Sequence, residues 1–259
     1  MRIIISPAKK MKEQTELFET KLPQFLKETE ELKTWLQSKN SQELQKLWKC
    51  NDAITRQNMQ RLSNMDLQRR LTPAILSYEG IQYQYMAPLV FEEKSWNYIQ
   101  EHLRILSGFY GILRPLDGVT PYRLEMQAKV SAEGYDNLYQ FWGTKLADSL
   151  AKETDFILNL ASREYARAVF PHLPERVSFV TCAFMEEQKG KLVQKGTYAK
   201  MARGEMVRLL AEAATEDPEE IKGFSPVGYV YREELSEETQ WIYVKEKEKT
   251  DETIICGIS

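Results

Sequence analysis

Two stretches of this chain run from an apolar strand straight into a serine: "IIISPAKK" at residues 3–10 and "ILNLASREY" at 157–165. A serine at that point suits a helix start, and the first N–H groups of a helix lack partners and favour an anion. Ser6 with Lys9 and Lys10, and Ser162 with Arg163, are therefore each placed to hold a phosphate. Helix capping alone would also account for both serines. Neither stretch carries the GxxxxGK[ST] spacing of a P-loop.

A third stretch, "LRILSGFYGIL" at 103–113, approaches a helix-hairpin-helix pattern. Such a hairpin offers backbone N–H groups to DNA phosphates without reading bases. Gly108 and Gly111 would be its glycines, although Tyr110 stands where the usual pattern has the second one. The alternative is a glycine-rich loop closing over the core. "RPLDGVTPYRLEM" follows at 114–126, with Arg114 and Arg123 on a path stiffened by two prolines. Their guanidiniums suit bidentate phosphate contacts, but Asp117 and Glu125 are also available to pair with them.

Residues 189–208 hold six Lys or Arg against Glu205 alone. Lys200 and Arg203 are three apart, so a helix sets them side by side, which favours an anion between them. Gly204 beside them would admit a close backbone or a ligand. Tyr122, Tyr139, Trp142 and Tyr165 stand near Arg123, Asn159 and Ser162 in sequence, a set suited to sandwiching and reading an extruded base. Trp142 reads as core.

The elements that must position these residues alternate between strand and helix. "RIIIS" (2–6) and "DFILNLA" (155–161) read as short buried strands. A helix is expected after Ser6, with Pro7 at its first position, and another after Ser162. Helices are expected over 23–37, through "SQELQKLWK" and "DAITRQNMQRLSNM", over 91–103, over 139–153 despite Gly143, and over 197–214. "PAILSY" (73–78) reads as strand, with helix close behind. "RVSFVTCAFMEEQKGKLVQKG" alternates around Lys189–Gly190 and predicts a hairpin. "DPEEIKGF" reads as a short capped helix, and 240–246 as a last strand. No repeat or linker divides the chain, so the expectation is one α/β domain over 1–259: a mixed central sheet surrounded by helices, with a helix-hairpin-helix-like element. Residues from about 246 read as a flexible acidic tail.

Composition narrows the functional classes. The chain has 259 residues, 42% hydrophobic and 28% charged, as ordinary globular proteins do. It has no apolar run long enough to span a membrane, and its N-terminus has too short an apolar run for a signal peptide. The expected location is cytoplasmic. Cys50, Cys182 and Cys256 are scattered, and His102 and His172 are the only histidines, which argues against a disulfide framework, a structural zinc site or a metal cofactor. The net charge of −3 is uneven: residues 209–259 hold 5 basic and 13 acidic groups, leaving 30 basic and 25 acidic for residues 1–208. That permits a positive cleft in the main body. No nucleophile–histidine–acid set is recognisable, no catalytic residue can be named, and binding is favoured over catalysis.

Together "IIISPAK", "LSGFYGILRPLDGVTPYRLEM", "LYQFWG", "NLASREY" and "YAKMARG", in this order, resemble the YaaA family of bacterial peroxide-stress proteins. The resemblance spans residue 2 to about 231. It implies a cytoplasmic single-domain protein of unusual α/β fold that binds DNA through a positive cleft and a helix-hairpin-helix element. It further implies a role in keeping free iron low and limiting oxidative damage during peroxide stress. By position, the hairpin falls on Leu103 to Leu113, and the matching polar residues are Ser6, Lys9, Arg114, Arg123, Asn159, Ser162, Tyr165, Lys200 and Arg203. The implied partner is duplex DNA, distorted or damaged DNA included, with no membrane, no obligate protein partner and no cofactor. The acidic ending "WIYVKEKEKTDETIICGIS" departs from the short basic ending of the family. The alternative function is an enzyme acting on nucleic acid or a nucleotide, by base removal or phosphate handling, in the same cleft.

Overall fold

Five parallel strands form the centre of the protein in a computed structural model that describes residues 1–14, 18–132 and 134–246. The strands are β1 (Arg2–Ile5), β2 (Lys10–Met11), β3 (Thr72–Pro73), β4 (Tyr78–Glu79), β5 (Leu103–Ser107), β6 (Gly111–Leu113), β7 (Gly118–Val119), β8 (Phe156–Leu160), β9 (Ser178–Gln188), β10 (Lys191–Val193), β11 (Tyr229–Tyr231) and β12 (Gln240–Lys245). The main sheet runs β11-β12-β9-β8-β1-β5-β6, with β10 paired to β9. Its inner pairs, β12–β9, β9–β8, β8–β1 and β1–β5, are parallel, and β11 and β6 close the edges antiparallel. Ile3, Ile4, Ile5, Leu158 and Leu160 are completely buried. That explains why these strands read as continuous apolar runs, since a parallel sheet is covered on both faces.

Helices α1 (Leu26–Gln37), α2 (Ser41–Trp48) and α3 (Asp52–Ser63) lie between β2 and β3. Asn40 and Asn51 cap the second and third, and Glu43 completes a capping box on the second. Short helices α4 (Ala74–Ser77) and α5 (Ile81–Met86) flank β4, and α6 (Glu93–His102) leads into β5. The remaining α-helices among the described residues are α7 (Leu138–Trp142), α8 (Lys145–Glu153), α9 (Arg163–Ala166) and α10 (Gly196–Ala213). The last packs against α5, α6 and β9.

The β9–β10 hairpin forms as expected, and both of its turn residues, Lys189 and Gly190, have positive φ. The segment 73–78 takes the helical alternative over Ala74–Ser77 instead of forming a strand, with only its end residues in the short strands β3 and β4. Three expectations are corrected. The chain does not turn helical after Ser6; it goes on to pair as β2 with β4, and Met11 enters the core. The helix over 139–153 breaks at Gly143, whose φ of +49 ends α7 before α8 begins.

The segment 103–113 is an antiparallel strand pair, not a helical hairpin. Phe109 and Tyr110 are fully buried there, and their N–H groups donate to Ser107 Oγ at 3.1 and 2.8 Å. Gly108 and Gly111 serve packing. A Cβ on Gly108 would meet the Leu124 carbonyl oxygen at 2.8 Å, and one on Gly111, at φ +74, would meet the Trp142 ring at 2.8 Å. The turn therefore offers no free N–H row to a phosphate. Cys256 and all of the acidic end beyond Glu246 lie outside the described residues.

Beside this hairpin, Asp117 is buried and accepts the Arg114 N–H at 2.8 Å. Burial lifts its carboxyl to about 6, against the pull of that hydrogen bond and of Arg114. Between roughly pH 4 and 6 the folded protein thus holds a proton that the unfolded chain, with an ordinary carboxyl, has released. This group's contribution to stability accordingly declines as pH rises through that window. Asp117→Asn keeps the acceptor and removes the buried charge. It should raise stability above pH 7 by about 1–3 kcal/mol, a gain that vanishes near pH 4. Urea unfolding across pH 4–8 measures it.

Candidate functional site

The carboxyl ends of β1 and β8 lie side by side, with Ile5 opposite Leu160. From β1 the chain moves to β5 on one side, and from β8 it moves to β9 on the other. In open α/β sheets the crevice outside such a reversal is where ligands bind. Ser6 and Ser162 meet there: Ser6 Oγ accepts the Ser162 N–H at 2.8 Å and donates to Ser162 Oγ at 3.3 Å. Neither hydroxyl caps a helix. No helix follows Ser6, and Ser162 stands before α9 without a side-chain cap bond. The two serine-ended strands recognised separately in the sequence build one place.

Around it opens a cleft of about 540 Å³ lined by residues from four segments, 6–10, 79–83, 122–125 and 162–165, joined by Lys200 and Arg203 of α10. That size is within the range of small-ligand sites. Eight expected site residues converge on it: Ser6, Lys9, Lys10, Arg123, Ser162, Tyr165, Lys200 and Arg203. Five cations face three carboxylates, Glu79, Glu125 and Glu164, so the cleft is positive.

The cations differ in how they are held. Lys9 pairs with Glu125 at 2.9 Å and Lys10 with Glu79 at 3.0 Å, both lysines largely exposed. Arg123 is held against the Trp48 carbonyl at 3.4 Å and lies 4.0 Å from Glu125, one of the partners its sequence offered. Lys200 is exposed and has no ion pair among the described residues. Arg203 is the exceptional one. Its Nε is buried with no hydrogen-bond partner, and no carboxylate pairs with it among the described residues. Burial pulls its pKa down, and the nearby Cys182 thiol, which burial keeps protonated, brings no negative charge to it. A buried Nε–H without an acceptor costs the free protein stability that a bound acceptor restores.

Tyr83, Tyr122 and Tyr165 supply the aromatic walls. Burial raises all three phenols, Tyr122 to about 12, so they act as hydrogen-bonding groups and not as bases. Tyr83 donates to the Ser6 carbonyl at 3.0 Å and ties α5 to the end of β1. The Tyr122 hydroxyl joins Tyr78 at 2.8 Å and Ser107 at 2.6 Å, which fixes its ring. Glu164 accepts the Gln127 N–H at 3.1 Å, and its carboxyl is raised, first by burial and then by nearby Glu125.

Four expected residues do not line this cleft. Gly108 and Gly111 are interior. Asn159 is buried, donating to Thr181 Oγ1 at 3.1 Å and accepting the Ala161 N–H at 2.9 Å, so it shapes the turn that delivers Ser162. Arg114 has a side chain 54% exposed, 3.8 Å from Glu153, over a separate hollow with Arg104 and Lys145. Of the aromatic set, Trp142 is core, donating to the Gly108 carbonyl, and Tyr139 donates to the Glu164 carbonyl. Sequence reasoning missed Gln82, Tyr83, Glu79 and Glu164. No charge run or motif marks "YEGIQY", and only Gly80 at its centre hints at a close approach, here to Ala8.

Residues 1–235 match the family described as peroxide stress protein YaaA. A UPF0246 protein from Agathobacter rectalis is 52% identical over 244 residues, covering 94% of this chain and 98% of the relative. A UPF0246 protein from Lachnoclostridium phytofermentans is 53% identical over 246 residues, covering 95% and 96%, and one from Pediococcus pentosaceus is 50% identical, covering 95% and 98%. The five sequence blocks, the near-complete match to the family and these end-to-end relatives agree: the chain belongs to the YaaA family of peroxide stress proteins.

Proposed function

We propose that this peroxide stress protein binds duplex DNA through its phosphates, largely without regard to sequence, in the cleft between the ends of β1 and β8. The observation that carries this reading is Arg203, a partly buried guanidinium with no anion and an unpartnered buried Nε, on the same helix as unpaired Lys200 in a cleft that the two serines also line. Lys9 and Lys10 at the mouth extend the positive surface. Phosphate contacts release condensed counterions. Affinity for a labelled 20-base-pair duplex should therefore fall linearly on a log–log plot against salt, with a slope of about −0.9 per phosphate engaged. An affinity indifferent to salt between 50 and 200 mM would defeat the reading.

Bound in this way, the protein would shield DNA during oxidative stress in the cytoplasm. Among the described residues no helix is long and apolar enough to cross a membrane. Limitation of free iron belongs to the same proposal as an indirect consequence. Among the described residues no group of three or more His, Cys, Asp or Glu is placed to hold a metal ion.

One observation favours the enzymatic alternative: Glu164, a carboxyl raised by burial, sits in the cleft beside Glu125, as a general acid would. Incubation with damaged and mismatched duplexes, with products resolved by mass, decides between the two. A new product lost in Glu164→Gln would establish catalysis.

A further inference from the structure

Among the described residues, six buried side-chain nitrogen or oxygen atoms have no hydrogen-bond partner, and two of them, Arg203 Nε and Gln82 Nε2, belong to residues lining this cleft. Gln82 is only 6% exposed. Both residues reach the cleft from helices that meet at Gly204, next to Arg203, where α10 packs onto α5 so closely that a Cβ would stand 2.1 Å from the Gln82 carbonyl oxygen. Native interiors rarely leave such donors empty, because each costs free energy until an acceptor arrives.

A phosphate alone would engage the lysines at the mouth. It gives no reason for a neutral amide donor at depth, or for walls made by Tyr83, Tyr122, Tyr165 and Leu124. An apolar, aromatic recess with a few fixed donors suits a planar heterocycle whose edge carries acceptors. Arg and Gln are the side chains that read base edges by paired hydrogen bonds, and a base taken out of the stack is held between apolar and aromatic groups.

We propose that the cleft accommodates one nucleotide unit: its base in the tyrosine-walled recess, with acceptor edge toward Gln82, and its phosphate at Arg203 and Lys200, with Lys9 and Lys10 at the mouth. The inference rests on the DNA-binding reading for the source of that unit, but not for its chemistry. A nucleotide unstacked from a strand and a free nucleotide present the same groups.

The test compares three duplexes of equal length by anisotropy titration: fully paired, carrying one bulged nucleotide, and carrying a bulged abasic residue with the same phosphate count. The nucleotide bulge should bind at least tenfold tighter than the paired duplex. The abasic bulge should fall back to the paired level, since it bends the helix equally but offers no base. Gln82→Met should erase the preference, bringing the nucleotide bulge down to the level of the abasic bulge. Its thermal midpoint should not fall, because the lost donor had no partner. Equal binding of paired and bulged duplexes by the wild-type protein would overturn the nucleotide site while leaving DNA binding intact, whether or not the variant folds. Tight binding of the abasic bulge would overturn it too, in favour of shape. If no duplex binds, the DNA reading has failed, and calorimetry with free deoxynucleoside monophosphates decides the site: binding weakened by Gln82→Met upholds it, and no heat overturns it.

Discussion

Replacing Arg203 by methionine should make the protein more stable and a poorer binder at once. Methionine fills a similar volume with no charge and no N–H. The substitution therefore removes a partly buried guanidinium that no carboxylate compensates among the described residues, and a buried Nε that no acceptor meets. Removing such costs should stabilise the free protein by about 1–3 kcal/mol, which for a chain of this size raises the thermal midpoint by about 2–4 °C per kcal/mol. Duplex affinity should drop tenfold or more, because truncating one side of a buried charge contact costs at least about 1.4 kcal/mol. Opposite movement of stability and affinity is the signature of a residue kept for binding. Were Arg203 instead part of the scaffold, the same change would destabilise by about 3–5 kcal/mol. Thermal unfolding and anisotropy titration on one preparation separate the two.

Gly204→Ala should have the larger structural effect. A Cβ at 204 would stand 2.1 Å from the Gln82 carbonyl oxygen and 3.0 Å from the Met86 nitrogen, and both are backbone atoms of α5. Backbone cannot rotate out of the way as a side-chain tip does, so α5 and α10 must separate. The intrinsic gain of alanine over glycine in a helix, about 1 kcal/mol, is far too small to offset that. A net loss of about 3 kcal/mol is expected in urea unfolding. Any folded protein that remains should bind duplex poorly, because the displaced helices carry Gln82, Tyr83, Lys200 and Arg203, four lining residues of the cleft.

How much of this was legible in the sequence differs by residue. β1 and β8 were legible because a strand buried on both faces reads as an apolar run, broken in β8 only by Asn159, and α2 because Leu44 and Trp48 stand four apart on one face. The β5–β6 pair was not. Gly108 and Gly111 have the spacing of a turn, but whether a turn joins strands or helices depends on its neighbours. Here Ser107 takes the N–H groups and Trp142 fills the space beside Gly111. Ser6 misled for a related reason. Its hydroxyl serves Ser162, 156 positions away, instead of a helix of its own, and no local rule anticipates such a partner.

The site followed the same division. Charge marked Lys9, Lys10, Arg123, Lys200 and Arg203, and all five meet in the cleft. Charge also marked Arg114, which lies elsewhere, since charge alone carries no direction. Gln82 and Tyr83 were silent, being neutral residues of a short helix whose role comes from packing under α10. Gly204 was legible as a point of close approach, and what approaches is the backbone of α5.

The claim that DNA phosphates occupy this cleft is tested most directly by titrating a labelled duplex with the wild-type protein and with the Lys200→Glu/Arg203→Glu double variant at 50 mM salt. Circular dichroism confirms that both are folded. The account predicts saturable binding by the wild type and none measurable by the double variant, because two inverted charges at the anion position repel the backbone they should hold. Equal affinity of the two proteins would contradict it.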